Sequence, residues 1–343
     1  MRNHGVMALP FSPPLDVMLA RLSKEIPAGE GWLYEPKWDG FRALVFRDSE
    51  EVHVQSRDRK PLERYFPELL PALQEALPQS CVVDGEVVVT TPKGLAFDLL
   101  QMRIHPAQSR VTMLSEQYPV SYVAFDLIAL GSQDLRETDL SERRQLLEDA
   151  LGPAALPPQE IRTSVVLSPQ TADPAEAQEW FMGLEKVGLD GIIAKRSESH
   201  YLPGKRAMIK VKHQRTADCV VGGYRLSKTK DGVASLLLGL YDDEGTLHYI
   251  GHTSSFNAAE RRRLLAELAP LEGGESFGGG RAPGGPSRWA PSMEKSWVSL
   301  EPVLVVEVTY DYLQGDRFRH ATGLVRWRDD KEPRDCTFEQ LTT

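Results

Sequence analysis

Glu35-Pro36-Lys37-Trp38-Asp39-Gly40-Phe41-Arg42 is the stretch on which the reading of this chain turns. By itself, a lysine two residues before Asp-Gly marks a surface turn, because turns select Asp and Gly. A chemical reading stands beside it. For Lys37 to act as a nucleophile its amine must lose a proton, yet a free lysine, with a pKa of about 10.4, is almost wholly charged at neutrality. Nearby cations and partial burial favour the neutral amine. Arg42, the lysines downstream and a bound metal can supply that field, and Asp39 can orient metal-bound water beside the lysine.

The rest of the 343 residues gives room for two domains, each with its own core. Hydrophobic residues at 41% and charged residues at 26% are ordinary for a globular protein. No apolar run reaches the twenty or so residues that a membrane span needs, and residues 1–14 lack the apolar core of a secretory signal. Cys81, Cys219 and Cys336 are far apart with no C-x-x-C spacing, which argues against a zinc knuckle and a disulfide framework and fits a reducing cytoplasm. The net charge of −9 gives no overall basic footprint for a nucleic-acid partner. Basic charge is instead concentrated between Gly191 and Lys230, where Glu198 and Asp218 are the only acids. That run reads either as a local anion-binding surface or as a solvated charged face.

Along the chain, the first part reads as mixed α and β. Cys81 to Val83, Val87 to Val89 and Tyr122 to Phe125 have strand character. Leu62 to Leu77, Ser141 to Ala150 (with Asp139 or Ser141 as cap) and Asp173 to about Val187 have helical spacing. After about Arg215 the pattern changes to short strands at 220–224, 235–241, 247–250 and 304–308, interrupted by one helix over 258–268. Several strands and one helix in so short a span suit a small barrel. Glu272 to Ser287, rich in Gly and Pro, reads as a loop within it.

Six further segments follow the first in order: Ser56-Arg57, Asp84-Gly85-Glu86, Ala124-Phe125-Asp126, Asp190-Gly191-Ile192-Ile193-Ala194-Lys195, Met208-Ile209-Lys210-Val211-Lys212 and Arg326-Trp327-Arg328-Asp329-Asp330-Lys331. Each has a plainer reading. Glu86 suits an outward strand position, Phe125 a core aromatic, and Arg57 and Arg206 surface ion pairs. Lys210 and Lys212, two apart, share one strand face and repel unless they share an anion. Taken together and in this order, the segments from Leu33 to Lys331 resemble the motif series of the covalent nucleotidyltransferases. The Trp38 variant of the lysine motif, the motif order and the Tyr201-x-Pro203-Gly204-x-Arg206 run look more like DNA ligases, and among these the chain most resembles the ATP-dependent bacterial ligase C and ligase D type.

That resemblance implies an α+β chain, with a nucleotidyltransferase (adenylation) domain at 1–214 followed by an OB-fold β-barrel at 215–343. It implies that Lys37 takes AMP from ATP and passes it to nicked or broken duplex DNA. ATP would be bound by Glu35, Lys37, Arg42, Arg57, Glu86, Phe125, Arg206, Lys210 and Lys212, with Arg328 and Lys331 contributed by the barrel. Mg²⁺ or Mn²⁺ would be held near Asp39, Glu86 and Asp190. The chain would act as a monomer in the bacterial cytoplasm, at the nucleoid, with end-joining or repair proteins as partners, and would bend near Arg215 to Cys219. Two positions depart from the pattern: Asp190 stands where the family has glutamate, and Val17 stands where Pro opens a P-M-L-A segment. RNA ligases, capping guanylyltransferases and an inactive end-binding module share parts of this signature. ATP rather than NAD is the expected donor, because the chain carries no four-cysteine zinc module.

Overall fold

The computed structural model describes residues 9–154, 162–183, 188–189, 191–213, 215–278, 283, 296–311 and 313–341. These fall into two compact units, Met1–Lys212 and His213–Thr343.

Two sheets, beside a short ribbon pairing Thr90–Thr91 with Gly94–Leu95, make up the described β structure of the first unit. A large one is built from β3 (Phe41–Asp48), β4 (Glu51–Ser56), β5 (Ser80–Val88), β6 (Ser121–Leu130) and β7 (Val165–Leu167), in the order β7-β6-β5-β3-β4. A smaller one joins β1 (Leu19–Ser23), β2 (Trp32–Pro36), β8 (Gly191–Arg196) and β9 (Arg206–Lys212), in the order β1-β9-β8-β2. The two Val runs belong to one strand, β5, with Glu86 inside it. Alternation divides the large sheet's side chains between two cores. Ala43, Val45, Val83 and Val87 pack with Leu69 and Leu73 of α1 (Leu69–Ala76), Leu100 of α2 (Phe97–Arg103) and Leu147 of α4 (Leu140–Leu151); α3 spans Gln108–Gln117. Leu44, Phe46, Val82 and Ile128 face the other way, onto Met208 of β9 and Tyr201. The small sheet's outer face, with Ile192, Ala194, Ile209 and Val211, is covered by Ala177, Trp180 and Phe181 of α5 (Pro174–Gly183). A helix-sheet-sheet-helix stack results, with a cleft opening between the sheets.

Sequence periodicity located α4 and α5 but overextended α1. Residues 62–68 hold only a 3-10 turn at Glu63–Tyr65. Asp139 is the N-cap of α4, as expected, but its side chain makes no capping bond. It lies 3.7 Å from His200 instead.

In the second unit, β10 (Arg215–Leu226), β11 (Val233–Tyr241), β12 (Leu247–Thr253), β14 (Val305–Tyr310) and β15 (Gly323–Trp327) form an antiparallel sheet in the order β12-β11-β10-β14-β15. The short β13 (Val298–Ser299) pairs with β10. The two edge strands meet through a parallel bridge between Thr253 and Thr322, where the Thr322 N–H donates to the His252 carbonyl at 3.0 Å. The sheet thereby closes on itself and leaves less open edge. Leu264 and Leu268 of α6 (Ala258–Leu268) pack into the enclosed core. Asn257 and Glu260 form a capping box at the start of α6. Arg215 to Cys219, expected to bend, is the paired first part of β10, matched to Val306–Tyr310. Much of the 272–287 stretch lies outside the described residues. The three cysteines are buried and unpaired.

Candidate active site

Lys37 directly follows β2, and its backbone N–H donates to the Gly191 carbonyl at 2.8 Å, so the small sheet's pairing extends to the lysine itself. The chain then turns through Trp38, Asp39 and Gly40 into β3 of the large sheet. Trp38 anchors this turn: its indole N–H donates to Ser168 Oγ at 2.9 Å, and its ring packs with Val88, Val123, Phe125 and Leu189. Gly40 is required by close approach, because a Cβ there would stand 2.2 Å from the Val87 carbonyl oxygen. The Lys37 segment is therefore a built bridge between the two sheets and not an open surface turn.

Arg42 faces the cleft from β3. Its register partner on β5 is Glu86, and it reaches diagonally to Asp84, two residues back on the same face. The guanidinium makes two 2.7 Å bonds to the Asp84 carboxylate, which is fully buried. Tyr201 completes the group: its hydroxyl donates to Asp84 at 2.6 Å and accepts the Met18 N–H at 3.1 Å. Burial works against the charge on Arg42, but Asp84 outweighs it and holds the guanidinium charged, above the usual arginine range. Burial, and then Asp84, push the Tyr201 hydroxyl well above the ordinary phenol range. Arg42 is thus largely neutralised by Asp84, and the positive field expected from it at Lys37 is reduced.

Phe125 faces the cleft at a bulge of β6. Asp84 pairs with Asp126 and Gly85 with Ala124, which leaves Phe125 as an extra residue of β6; Ile128 is a second. A bulge resets the alternation of the residues beyond it. Alternation sets Phe125, with Val123, opposite Tyr122 and Ala124, and the bulge lets Leu127 return to the helix-side core two residues later. The Arg42 guanidinium carbon lies 4.6 Å and the Lys195 Nζ 4.8 Å from the Phe125 ring centre. The next residue, Asp126, is buried against Arg143 of α4 at 2.8 Å, which fixes the strand behind the ring.

One cleft of the first unit is lined by Glu35, Lys37, Arg42, Arg57, Glu86, Phe125, Arg206 and Lys210, together with Trp38 and Lys195. Arg57 is brought beside Arg42 by its backbone N–H, which bonds the Arg42 carbonyl at 3.1 Å. Lys212, at the end of β9 opposite Gly191, lies beyond the lining residues. Asp39 is in the turn, near enough to raise the Glu86 carboxyl by its charge. Asp190 lies outside the described residues. Arg328 and Lys331 belong to the second unit and both bond Asp218 there. Lys195, read from the sequence both as one cation of the basic run and as the end of the Asp190–Lys195 motif, is only 2% exposed, and it bonds Glu35 at 2.8 Å and 3.0 Å. Gln170 donates to the same carboxylate at 2.7 Å.

Glu86 is the unusual acid of the cleft. Burial pushes its carboxyl up from 4.5 to about 7, against the lowering effect of Arg42 and Lys37, with Asp84 and Asp39 adding to the rise. Between about 4.5 and 7, the folded chain therefore keeps a proton on Glu86 that the unfolded chain has released. Stability falls as pH rises through that window. Denaturant unfolding of the wild type and Glu86→Gln at pH 5 and pH 8 should show the wild type losing stability relative to the variant. A difference between the two that does not change with pH would contradict this.

The same carboxylate suits a hard cation, which would lower its pKa, and Asp39 offers a second oxygen donor close by. Among the described residues no three His, Cys, Asp or Glu side chains gather as a metal cage. A divalent ion that retains most of its waters and uses one or two carboxylates fits such a donor set. No helix among the described residues is long and apolar enough to cross a membrane.

Comparison with known proteins bears on the whole chain. The ATP dependent DNA ligase domain matches residues 17–212, and the ATP dependent DNA ligase C terminal region matches residues 229–331. DNA ligase C1 of Mycolicibacterium smegmatis is 47% identical over 349 residues, covering 98% of this chain and 96% of that one. The multifunctional non-homologous end joining protein LigD of Mycobacterium bovis is 31% identical over 316 residues, covering 90% of this chain but 37% of that protein. A structure from a study of Lig E DNA ligases superposes with a TM-score of 0.56 at 17% identity, covering 91% of this chain and 99% of that one. That last likeness is one of fold.

Proposed function

Because the chain belongs to the ATP-dependent DNA ligase family, we propose that it seals nicks or breaks in duplex DNA by three phosphoryl transfers that share the Lys37 cleft. In the first, Lys37 Nζ bonds the α-phosphorus of ATP as the bond to pyrophosphate breaks. In the second, the 5′-phosphate of the nick attacks that phosphorus, freeing the lysine amine and leaving AMP on the DNA end. In the third, the 3′-hydroxyl loses its proton and attacks the DNA phosphate, and AMP departs. Each transition state gathers negative charge at phosphorus, so positioned cations and hydrogen-bond donors carry most of the catalysis.

The support for this reading is that Lys37 shares one cleft with Glu35, Arg42, Arg57, Glu86, Phe125, Arg206 and Lys210. On this reading Phe125 stacks on adenine, with Glu35 beside it. Arg42, Arg57, Arg206, Lys210 and Lys212 address the phosphates, and Glu86 takes the ribose or a metal. Mg²⁺ or Mn²⁺, held near Glu86, Asp39 and Asp190, supplies charge neutralisation on phosphate oxygens. The closed second unit is read as an OB-fold, whose Arg328 and Lys331 act on the departing pyrophosphate. The domain boundary is placed at Gln214/Arg215. Partners on this reading are nicked or broken duplex DNA and end-joining or repair proteins, met by a monomer at the bacterial nucleoid.

The test is to incubate the protein with α-labelled ATP and Mg²⁺, then add unlabelled nicked duplex. Label should first become covalently attached to protein and then leave it as the nick closes. ATP should charge the protein and GTP should not, and nicked DNA should discharge it faster than nicked RNA. Label that attaches but is never discharged by DNA would point to another member of the superfamily, and no attachment at all would point to an end-binding module.

A further inference from the structure

We propose that Asp218 is a positioning residue for the adenylation step, a fixed post that holds Arg328 and Lys331 side by side as one polyphosphate-binding group. The proposal rests on the reading above that those two cations act on the pyrophosphate leaving group. In the sequence, Asp218 is merely one of two acids within a basic run.

The post is rigid for local reasons. Asp218 lies within β10, opposite Glu307 of β14, and its neighbours Ala217 and Cys219 are core residues. Gln340 clasps its backbone, accepting the Asp218 N–H at 2.8 Å and donating to the Asp218 carbonyl at 3.1 Å. The side chain is 14% exposed. Its carboxylate accepts Arg328 Nη1 at 2.8 Å and 2.9 Å and Lys331 Nζ at 3.0 Å. Two cations held on one carboxylate repel each other, the more so where water is partly excluded. The shared carboxylate offsets that repulsion and sets their spacing.

The opposite edge of the guanidinium is held differently. Nε and Nη2 of Arg328 donate to Asp330 at 2.8 Å and 3.0 Å, and Asp330 is 64% exposed. The Nε/Nη2 edge is a fork that phosphate can take in bidentate fashion. An incoming polyphosphate can displace Asp330 into water, whereas Asp218 is fixed in a paired strand. One edge therefore anchors the side chain and the other exchanges ligands. Arg328 is oriented before its phosphate arrives, and Asp218 does the orienting without touching substrate.

Single-turnover adenylation by the full-length protein with α-labelled ATP tests this, using Asp218→Asn and Asp218→Glu beside the wild type. Asp218→Asn should form lysyl-AMP about 10–100-fold more slowly. Release of ATP from the charged protein by added pyrophosphate, which is the reverse step, should fall by a similar factor. Protein charged beforehand should still discharge to nicked DNA within about threefold of the wild-type rate, because pyrophosphate has no part in that step. Asp218→Glu, keeping the charge, should recover part of the loss. Adenylation within twofold of wild type, or equal losses in adenylation and discharge, would overturn the proposal. Failure of the wild type to acquire label would instead reject the ligase reading, and an Arg328→Ala protein that charges at full rate would remove the premise about the leaving group.

Discussion

The Lys37→Ala protein, incubated with α-labelled ATP and a divalent metal, should carry no label through denaturing electrophoresis, a loss on the order of 10⁴-fold or more. The amine is the atom that bonds phosphorus on the proposed pathway, and alanine offers nothing in its place. Lys37→Arg should be equally inactive, because its guanidinium stays protonated and has no lone pair to donate. The arginine variant separates nucleophilicity from charge: if the lysine's contribution were only electrostatic, label would persist on it. Both variants should still close a nick whose 5′ end already carries AMP, since that transfer does not use the amine. Label retained on the alanine protein would reject the assignment outright.

Asp84→Ala should lower the stability of the first unit by about 3 kcal/mol, because removing one partner of a buried ion pair strands the other. Asp84 is fully buried and satisfies both Arg42 and the Tyr201 hydroxyl. Arg42 is 19% exposed, so water relieves part of the cost. A fall in melting temperature of about 6–12 °C should accompany the loss, along with slower adenylation as Arg42 loses its anchor. A melting temperature within about 2 °C of wild type would show that the pair is dispensable to the fold. Asp84→Asn keeps the shape and should cost less than the alanine, which separates volume from charge.

The residue list of the cleft was more legible in the sequence than the reasons those residues converge. Lys37, Arg42, Glu86 and Phe125 lie in short segments of distinctive chemistry, and they share one cleft. Asp84 was visible in the same three-residue segment as Glu86, and period-2 alternation places both on one strand face. Its partner Arg42 becomes apparent only once β3 and β5 are in register. Lys195 looked like one cation in a basic run and the end of a motif. Its burial follows from pairing with Glu35, 160 residues earlier, and no local pattern carries that information. Ser168, which holds the Trp38 indole, had no signal at all: a lone serine after a short strand becomes specific only through its distant donor. In the second unit four strands and the α6 helix followed from glycine turns and alternation, whereas the edge strand β15 and the short β13 carried no strand reading. The closing contact between Thr253 and Thr322 joins segments too far apart in the chain for any window to connect.

The extra residue at Phe125 in β6 has a consequence for how this protein can vary. Tyr122 and Leu127, five positions apart, both sit in the helix-side core, and the strand allows this only through the extra residue at Phe125; a second extra residue follows at Ile128. Losing Val123 or Ala124 would remove this bulge, leave the one at Ile128, and turn the aromatic ring away from the cleft, with the local amino-acid types barely changed. At this strand, chain length is the quantity under constraint: point substitutions near the ring can be absorbed gradually, and a one-codon deletion cannot.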